Sequence, residues 1–405
     1  APAGAGLGVQ PIGLNVLHHL GVLPEVLARG SRIDRLHSVA RDGRTVLDLR
    51  YADFRPELHG VGLHRDTLFS VLYKQALAEP NAIQFFTDTN VVNIVRAHNT
   101  STATSDVLVT DAAESGESVE RPHRSGPFDL VLCADGRNSI RKSMTHVKSF
   151  EYQYPWGCLW AILPDKKGEF TRGGERGRTL YQRLDGAQKM LGILPTGSTA
   201  SRDANAPTLV SLFWSLDMAT LDGVRKAGMG KWKEELIALE PRVERLIGDL
   251  GADEDPVDNH LIPAWYSDTF MPRIFDLATN TAFLGDCAHA TSPQLGQGAN
   301  LALVDAWVLS NAVTQENGNV KKALQLYDKE RRWRLRFYQL NSRLLTPMFQ
   351  SHSKIVGGLR DACMGPACRF PPTRLQMLTV MSGAQNNGWP WTTIPEEEYM
   401  GWVSN

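Results

Sequence analysis

The stretch that decides the fold is FLGDCAHATSPQLGQGANLALVDA, residues 283–306. An apolar run stops at Gly285-Asp286. A His, a Pro, a Gly-Gln-Gly triplet and an Asn follow before a regular amphipathic pattern takes over. Leu301, Val304, Val308 and Ala312 then recur on one helical face, so the spacing predicts a helix packed on a sheet. TAFLGD before it reads as a strand ending at Gly285, which puts Asp286 at the strand's carboxyl edge, where open α/β sheets place ligands. A carboxylate there only accepts hydrogen bonds and suits a hydroxylated chain. Pro293 stiffens the loop, whereas Gly296 and Gly298 let backbone approach a flat ligand. The helix start beyond them offers free N–H groups and a positive dipole end, which would stabilise a ring that becomes anionic on reduction.

Two further junctions of the same kind lie upstream. PFDLVLCADGRNSIRK, residues 127–142, is an apolar run ending at Asp135-Gly136, expected to be a strand buried on both faces. His64-Arg65 opens a helix, and the Arg is long and permanently charged, suited to a phosphate or a hydroxylated chain. SRIDRLHSVARDGRTVLDLRYAD, from Ser31, alternates around Asp42-Gly43 as a β-hairpin does. Between Tyr152 and Pro263 the texture changes to aromatic-rich strands with loops, then a helical stretch. This is the pattern of an antiparallel sheet with helices, and beyond Tyr327 the chain is helical and Arg-rich.

Bulk properties narrow the partners. The 405 residues carry a formal net charge of −1 with acids and bases interspersed, which argues against nucleic acid and for a small molecule. Five scattered Cys, at 133, 158, 287, 363 and 368, suit a reducing compartment and no disulfide framework. No metal site is expected from Cys363 and Cys368, since no second pair or His cluster completes one. No apolar run reaches membrane-spanning length and no signal-peptide pattern opens the chain, so the expected location is cytoplasmic, at most peripheral to a membrane.

Taken together, these motifs resemble one family. Residues 285–306 fit G-D-x-x-H-x-x-x-P-x-x-G-Q-G-x-N-x-x-x-x-D-A throughout, the second flavin-binding motif of the class A flavoprotein monooxygenases, the aromatic hydroxylases. DGRNSIR, residues 135–141, resembles that family's DGxxSxxR motif, and His64-Arg65 its Arg-bearing strand-to-helix junction. YPWG and LTPMFQS are similar to the ubiquinone-biosynthesis hydroxylase branch. The resemblance implies an α/β fold: an FAD/NAD(P)-binding, Rossmann-like domain, an inserted antiparallel-sheet substrate domain and a helical C-terminal region. The expected division is 1–34, 60–150 and 275–345 for FAD, 35–59 and 151–274 for substrate, and 346–405 for the helical tail.

The resemblance also implies roles. Arg65 would contact FAD, Asp286 would hold its ribityl or pyrophosphate region, and Gly285 would make the turn. Pro293 would lie near the reactive face of the ring, with Gly296, Gln297, Gly298 and Asn300 around its pyrimidine edge. Asp135, Gly136 and Arg141 would support FAD and the NADH or NADPH path. His289 is read as a packed, hydrogen-bonded residue, and no catalytic acid or base is assigned. In the implied reaction NAD(P)H reduces the flavin and O2 adds to give a C4a-hydroperoxide. Its distal oxygen then hydroxylates or epoxidises a small aromatic or polyprenyl-like substrate. Trp156, Trp160, Tyr181, Arg183 and Trp214 are the substrate-site candidates, with Tyr181 and Arg183 on one face of their strand.

One family feature is not found: an opening strand with a GxGxxG turn and an acidic residue beyond it. GAGLG, residues 4–8, reads instead as the Gly-rich approach to the helix at Pro11. The expectation is a chain lacking the family's first βαβ unit, so that retention of FAD is itself a question. The alternative is a flavin-free relative acting as a binding protein or a non-redox cyclase or isomerase, or an inactive fragment. A halogenase-like W-x-W-x-I-P reading of Trp389 to Pro395 carries one residue too many, and a Pro-rich tail turn explains that segment better.

Overall fold

The computed structural model describes residues 4–96, 104–111, 123–198, 208–386 and 392–403. Part of the polar loop after Ala112, and Trp389 to Trp391, lie outside the described residues. The largest element is a seven-stranded sheet. Its order is Ile262–Phe270, Phe150–Pro164, Leu209–Asp217, Lys189–Gly197, Thr179–Asp185, Arg35–Ala40 and Thr45–Arg50. All neighbours are antiparallel except Thr179–Asp185 on Arg35–Ala40. The last two strands are the hairpin, turned at Gly43 with φ +89.

Period-two alternation gives this sheet two different faces. Leu159, Ala161, Leu191, Ile193, Leu212 and Trp214 point to one side and meet Trp232 and Leu236 of the helix Leu221–Leu239. Trp156, Cys158 and Trp160 point to the other side with Tyr266 and Phe213, and Ala5 packs against them.

On that second side lies a small antiparallel sheet, Gly6–Val9, Gly60–His64 and Ser31–Ile33. The two sheets touch so closely that a Cβ on Gly62 would stand 1.9 Å from the Pro195 carbonyl oxygen. Gly6–Val9 leads directly into the helix Pro11–His19, whose Pro at the first turn needs no N–H partner.

The 283–306 stretch forms a short strand Thr281–Phe283, a turn of helix Asp286–His289, a 3-10 turn Pro293–Leu295 and the helix Gly298–Gln315. As expected, Leu301, Val304 and Ala312 of that helix are buried. Thr281–Phe283 pairs in parallel with Val131–Cys133. Here the structure corrects the sequence reading of the 127–142 run. His123–Phe128 turns away to pair with Ser105–Asp111, and only Val131–Cys133 joins the motif strand. Among the described residues Val131–Cys133 pairs with Thr281–Phe283 alone, and Leu132 is 54% exposed rather than buried.

The C-terminal region is helical: Val320–Phe349, Lys354–Arg369, Pro371–Ser382 and Glu397–Met400. Among the described residues, no helix is long and apolar enough to cross a membrane.

Candidate active site

Gly285 turns the chain at φ +62, a conformation that suits glycine. The turn is fixed by a carboxylate from the following helix. Asp305 accepts from the Gly285 N–H at 2.9 Å, His289 Nε2 lies 2.5 Å from its Oδ2, and Arg331 Nε donates to its Oδ1 at 2.7 Å. All three side chains are buried. Burial alone would raise the Asp305 carboxyl, but the facing His289 and Arg331 outweigh it and hold it below the ordinary range. His289 is therefore the packed, bonded residue the sequence suggested.

The two Asp-Gly-type motifs are sewn together. Leu284 N–H and Cys287 Sγ both donate to the Cys133 carbonyl, at 3.0 and 2.9 Å. Arg141 reaches across to the Cys287 carbonyl at 2.7 Å and pairs with Glu151 at 2.6 Å. Burial would raise the Glu151 carboxyl, and the bonds from Arg141 and Lys142 hold it low instead. DGRNSIR has one residue fewer between Ser and Arg than the DGxxSxxR pattern. Arg141 is buried and occupied by these contacts, a tie between motifs rather than an arm towards solvent. Asp135 remains exposed, its Oδ2 accepting from Ile140 N–H at 2.7 Å, and Gly136 makes the turn at φ +75. Proximity also gathers the Cys133 thiol, the Asp135 carboxylate and the Cys287 thiol within 4.8 Å of one another, a grouping invisible in sequence. The Cys287 contact lowers the Cys133 thiol, and the same contact raises Cys287.

The polar motif residues divide into two groups. Asn300 is wholly committed to protein: its Oδ1 accepts from Gln10 N–H at 2.8 Å, and its amide donates to the carbonyls of Gly8 at 3.0 Å and Gly296 at 3.2 Å. It clamps the first strand to the motif helix. Gln297 likewise donates to the Val380 and Met381 carbonyls, at 3.0 and 2.8 Å. By contrast Asp286, Pro293 and Gly296 are exposed, and Gly296 sits in the left-handed region at φ +60. Arg65, exposed at the start of the helix Arg65–Leu77, lies so close over Gly4 that a Cβ there would meet its Cδ at 2.8 Å.

The second face of the large sheet is joined to this loop by bonds the sequence reading did not foresee. Gln294 donates to Gln350 at 3.0 Å, and Gln350 donates to Ser215 Oγ at 2.6 Å. Ser292 contacts Thr346 at 2.6 Å and Ser342 at 3.0 Å. Gly6 N–H donates to Ser211 at 2.9 Å, and Thr196 lies 3.1 Å from His64 Nε2. Burial lowers the His64 imidazole and pushes the Cys158 thiol up to about 11. One signal was available: in the strand LVSLFWSLD, Ser211, Phe213 and Ser215 share a face that alternates with purely apolar residues.

The substrate candidates separate accordingly. Trp156 and Trp160 lie on the face towards the motif loop. Tyr181, Arg183 and Trp214 lie on the opposite face, under the helix Leu221–Leu239 and the turn that follows it. There Tyr181 donates to Glu240 at 2.5 Å and Arg183 to the Leu239 carbonyl at 3.2 Å.

A flavin ring fits the exposed part of this arrangement. Glycine is required at Gly285 and Gly296 by backbone conformation. At Gly298 an added Cβ would meet nothing nearer than Asp286 Oδ1 at 3.9 Å, so the helix start stands open beside that carboxylate. The first-turn N–H groups of an 18-residue helix point the same way.

Comparison with known proteins agrees with this geometry. No family model matches the chain. The fold is that of the FAD-binding monooxygenases. HpxO of Klebsiella pneumoniae, solved with FAD and uric acid, superposes with a TM-score of 0.71 over 94% of this chain and 88% of its own, at 18% identity. 2-Methyl-3-hydroxypyridine-5-carboxylic acid oxygenase gives 0.65 over 96% and 89%, also at 18% identity. By sequence, the chain is similar to several aromatic hydroxylases and monooxygenases. It is 26% identical to kynurenine 3-monooxygenase of Salinispora tropica over 350 residues, which are 80% of this chain and 66% of that protein. It is 22% identical to 3-hydroxybenzoate 6-hydroxylase of Klebsiella oxytoca over 81% of this chain and 75% of that protein. The chain spans just under two thirds of the length of that kynurenine 3-monooxygenase.

Proposed function

We propose that this protein is an FAD-dependent monooxygenase that hydroxylates or epoxidises a small, aromatic or polyprenyl-like molecule with NAD(P)H and O2. The observation that carries the proposal is the open helix start at Gly298 beside Asp286, in a loop tied through Gln294 and Gln350 to Ser215 on the sheet face that bears Trp160, Tyr266 and Phe213. When bound, FAD would accept electrons from NAD(P)H and activate O2. The residues then have distinct tasks. Asp286 accepts hydrogen bonds from the hydroxylated chain of the cofactor, and Arg65 contributes fixed positive charge. The helix start stabilises negative charge on the ring. Pro293 shapes the loop over the ring, and the aromatic face excludes water and positions the substrate.

The test is the visible absorption spectrum of the purified chain, alone and after incubation with FAD, followed through gel filtration. A flavin spectrum that co-elutes, with NAD(P)H oxidation stimulated by an aromatic acid or phenol, is the expected result. A folded, colourless chain that retains no added FAD would overturn the proposal for this chain and favour a flavin-free relative or an inactive fragment. Parallel assays with NADH and NADPH assign the reductant.

A further inference from the structure

The long helix Val320–Phe349 is apolar on two sides. One side is buried through Leu335, Tyr338, Thr346 and Phe349. On the other, Trp333, Leu340, Leu344 and Met348 fall within about 80° of one another at 3.6 residues per turn. The next helix, Lys354–Arg369, adds Ile355 and Leu359 one turn apart. These six side chains are between 38% and 75% exposed. A surface helix ordinarily turns a polar face outward, and an unpartnered apolar stripe of this length marks an interaction surface.

The charge around the stripe says what it meets. Residues 331–382 contain nine Lys or Arg and a single carboxylate, Asp361. Arg331, Arg334 and Arg360 are buried and Arg332, Arg343 and Arg374 pair with Asp328, Asp268 and Asp53, which leaves Arg336, Lys354 and Arg369 as the basic residues beside the stripe. Asp361 is itself paired with Arg360 at 2.6 Å. Arg336 lies one turn from Trp333, with its guanidinium 5.1 Å from the ring centroid. Lys354 directly precedes Ile355, and Arg369 ends the same helix; both are exposed. A second copy of the chain seated here would set basic residues against basic residues, which costs association energy. An anionic bilayer surface instead takes the apolar side chains into its headgroup boundary while its phosphates meet the Arg and Lys heads.

We propose that the Trp333–Leu359 stripe docks this protein on anionic lipid membranes, lying in the interface without crossing it. The test is flotation of the full chain with phosphatidylcholine vesicles made with and without phosphatidylglycerol. The expected result is co-flotation with the phosphatidylglycerol vesicles only, weakened by high salt. Leu340→Ser with Leu344→Ser, and separately Arg336→Glu with Lys354→Glu, should each cut the bound fraction roughly tenfold. These positions are solvent-facing, so unchanged circular dichroism melting shows that the fold is kept. Phe86→Ser, at an exposed aromatic outside the helical region, should bind as the parent does. Failure to float with phosphatidylglycerol vesicles would overturn the proposal, as would equal binding to both vesicle types. So would a dimer in light scattering that Leu340→Ser with Leu344→Ser dissociates, which would assign the stripe to a second copy.

Discussion

The two faces of the seven-stranded sheet are built from the same strands, yet they differ in kind. The face under the helix Leu221–Leu239 is a largely apolar core, where Tyr181 and Arg183 bond to Glu240 and the Leu239 carbonyl. The face towards the motif loop mixes Trp156, Trp160 and Phe213 with Ser211, Ser215, Thr196 and Cys158. Ser211, Thr196 and Ser215 on that face bond outward, to Gly6, His64 and Gln350. A sheet can thus assign stability to one side and ligand handling to the other while sharing every backbone hydrogen bond.

Substitutions can break this contrast, and the largest effect should come from the knot behind the loop. Asp305→Ala leaves Arg331 and His289 buried without their partner. It should cost about 3–5 kcal/mol in urea unfolding and abolish flavin retention with it. Trp214→Ala on the apolar face should cost about 3–5 kcal/mol but leave flavin affinity unchanged in the folded fraction. If it loosens flavin as well, the two faces are not separable. Gln350→Ala should cost only about 1–3 kcal/mol, because Gln294 and Ser215 lose a common partner. Its main effect is expected on the KM for the organic substrate, read by steady-state NAD(P)H oxidation.

The smallest effects are in pH dependence, and the two faces should differ in position. Burial raises the Glu240 carboxyl, but Arg242 and Tyr181 more than offset it and leave it below 4.5. Its contribution is present above 4.5 and lost as pH falls through the lower folded value, and Glu240→Gln should flatten that acid limb. His64, on the motif side, is lowered from 6.5 by burial. The unfolded chain then takes up its proton first, so stability falls as pH drops below 6.5 towards the folded value. His64→Gln should remove this upper step and leave the lower one. Urea midpoints across pH 3.5–8 would check both.

Much of this was legible in the sequence, and what was not has a definite physical cause. The strand, turn and helix of residues 281–315 follow from hydrophobic periodicity and from glycines at positive φ, which are local properties. The hairpin at Gly43 was readable for the same reason. Period-two alternation tells which residues of one strand share a face, but not which face meets which neighbour. That is why Tyr181 and Arg183 came out together, as expected, yet on the side away from Trp160. The roles of Asn300, Gln297 and Arg141 were hidden differently. A polar side chain in a glycine-rich motif reads as a ligand contact, whereas these three also bond to protein: Asn300 to Gln10 and Gly8, Gln297 to the Val380 and Met381 carbonyls, and Arg141 to Cys287, Ser149 and Glu151. Leu132 was misplaced because an apolar run does not reveal whether other elements cover both faces of its strand.

The Asp305 knot also governs the order in which this molecule can assemble. The motif is complete along the chain at residue 306, but its turn is held by a carboxylate that needs Arg331. Its loop is braced by Thr346 and Gln350. During synthesis the glycine-rich segment therefore leaves the ribosome well before the parts that give it shape. Under the proposed function, cofactor capture would be a late event, contingent on the arrival of a helix that contributes no residue to the motif itself.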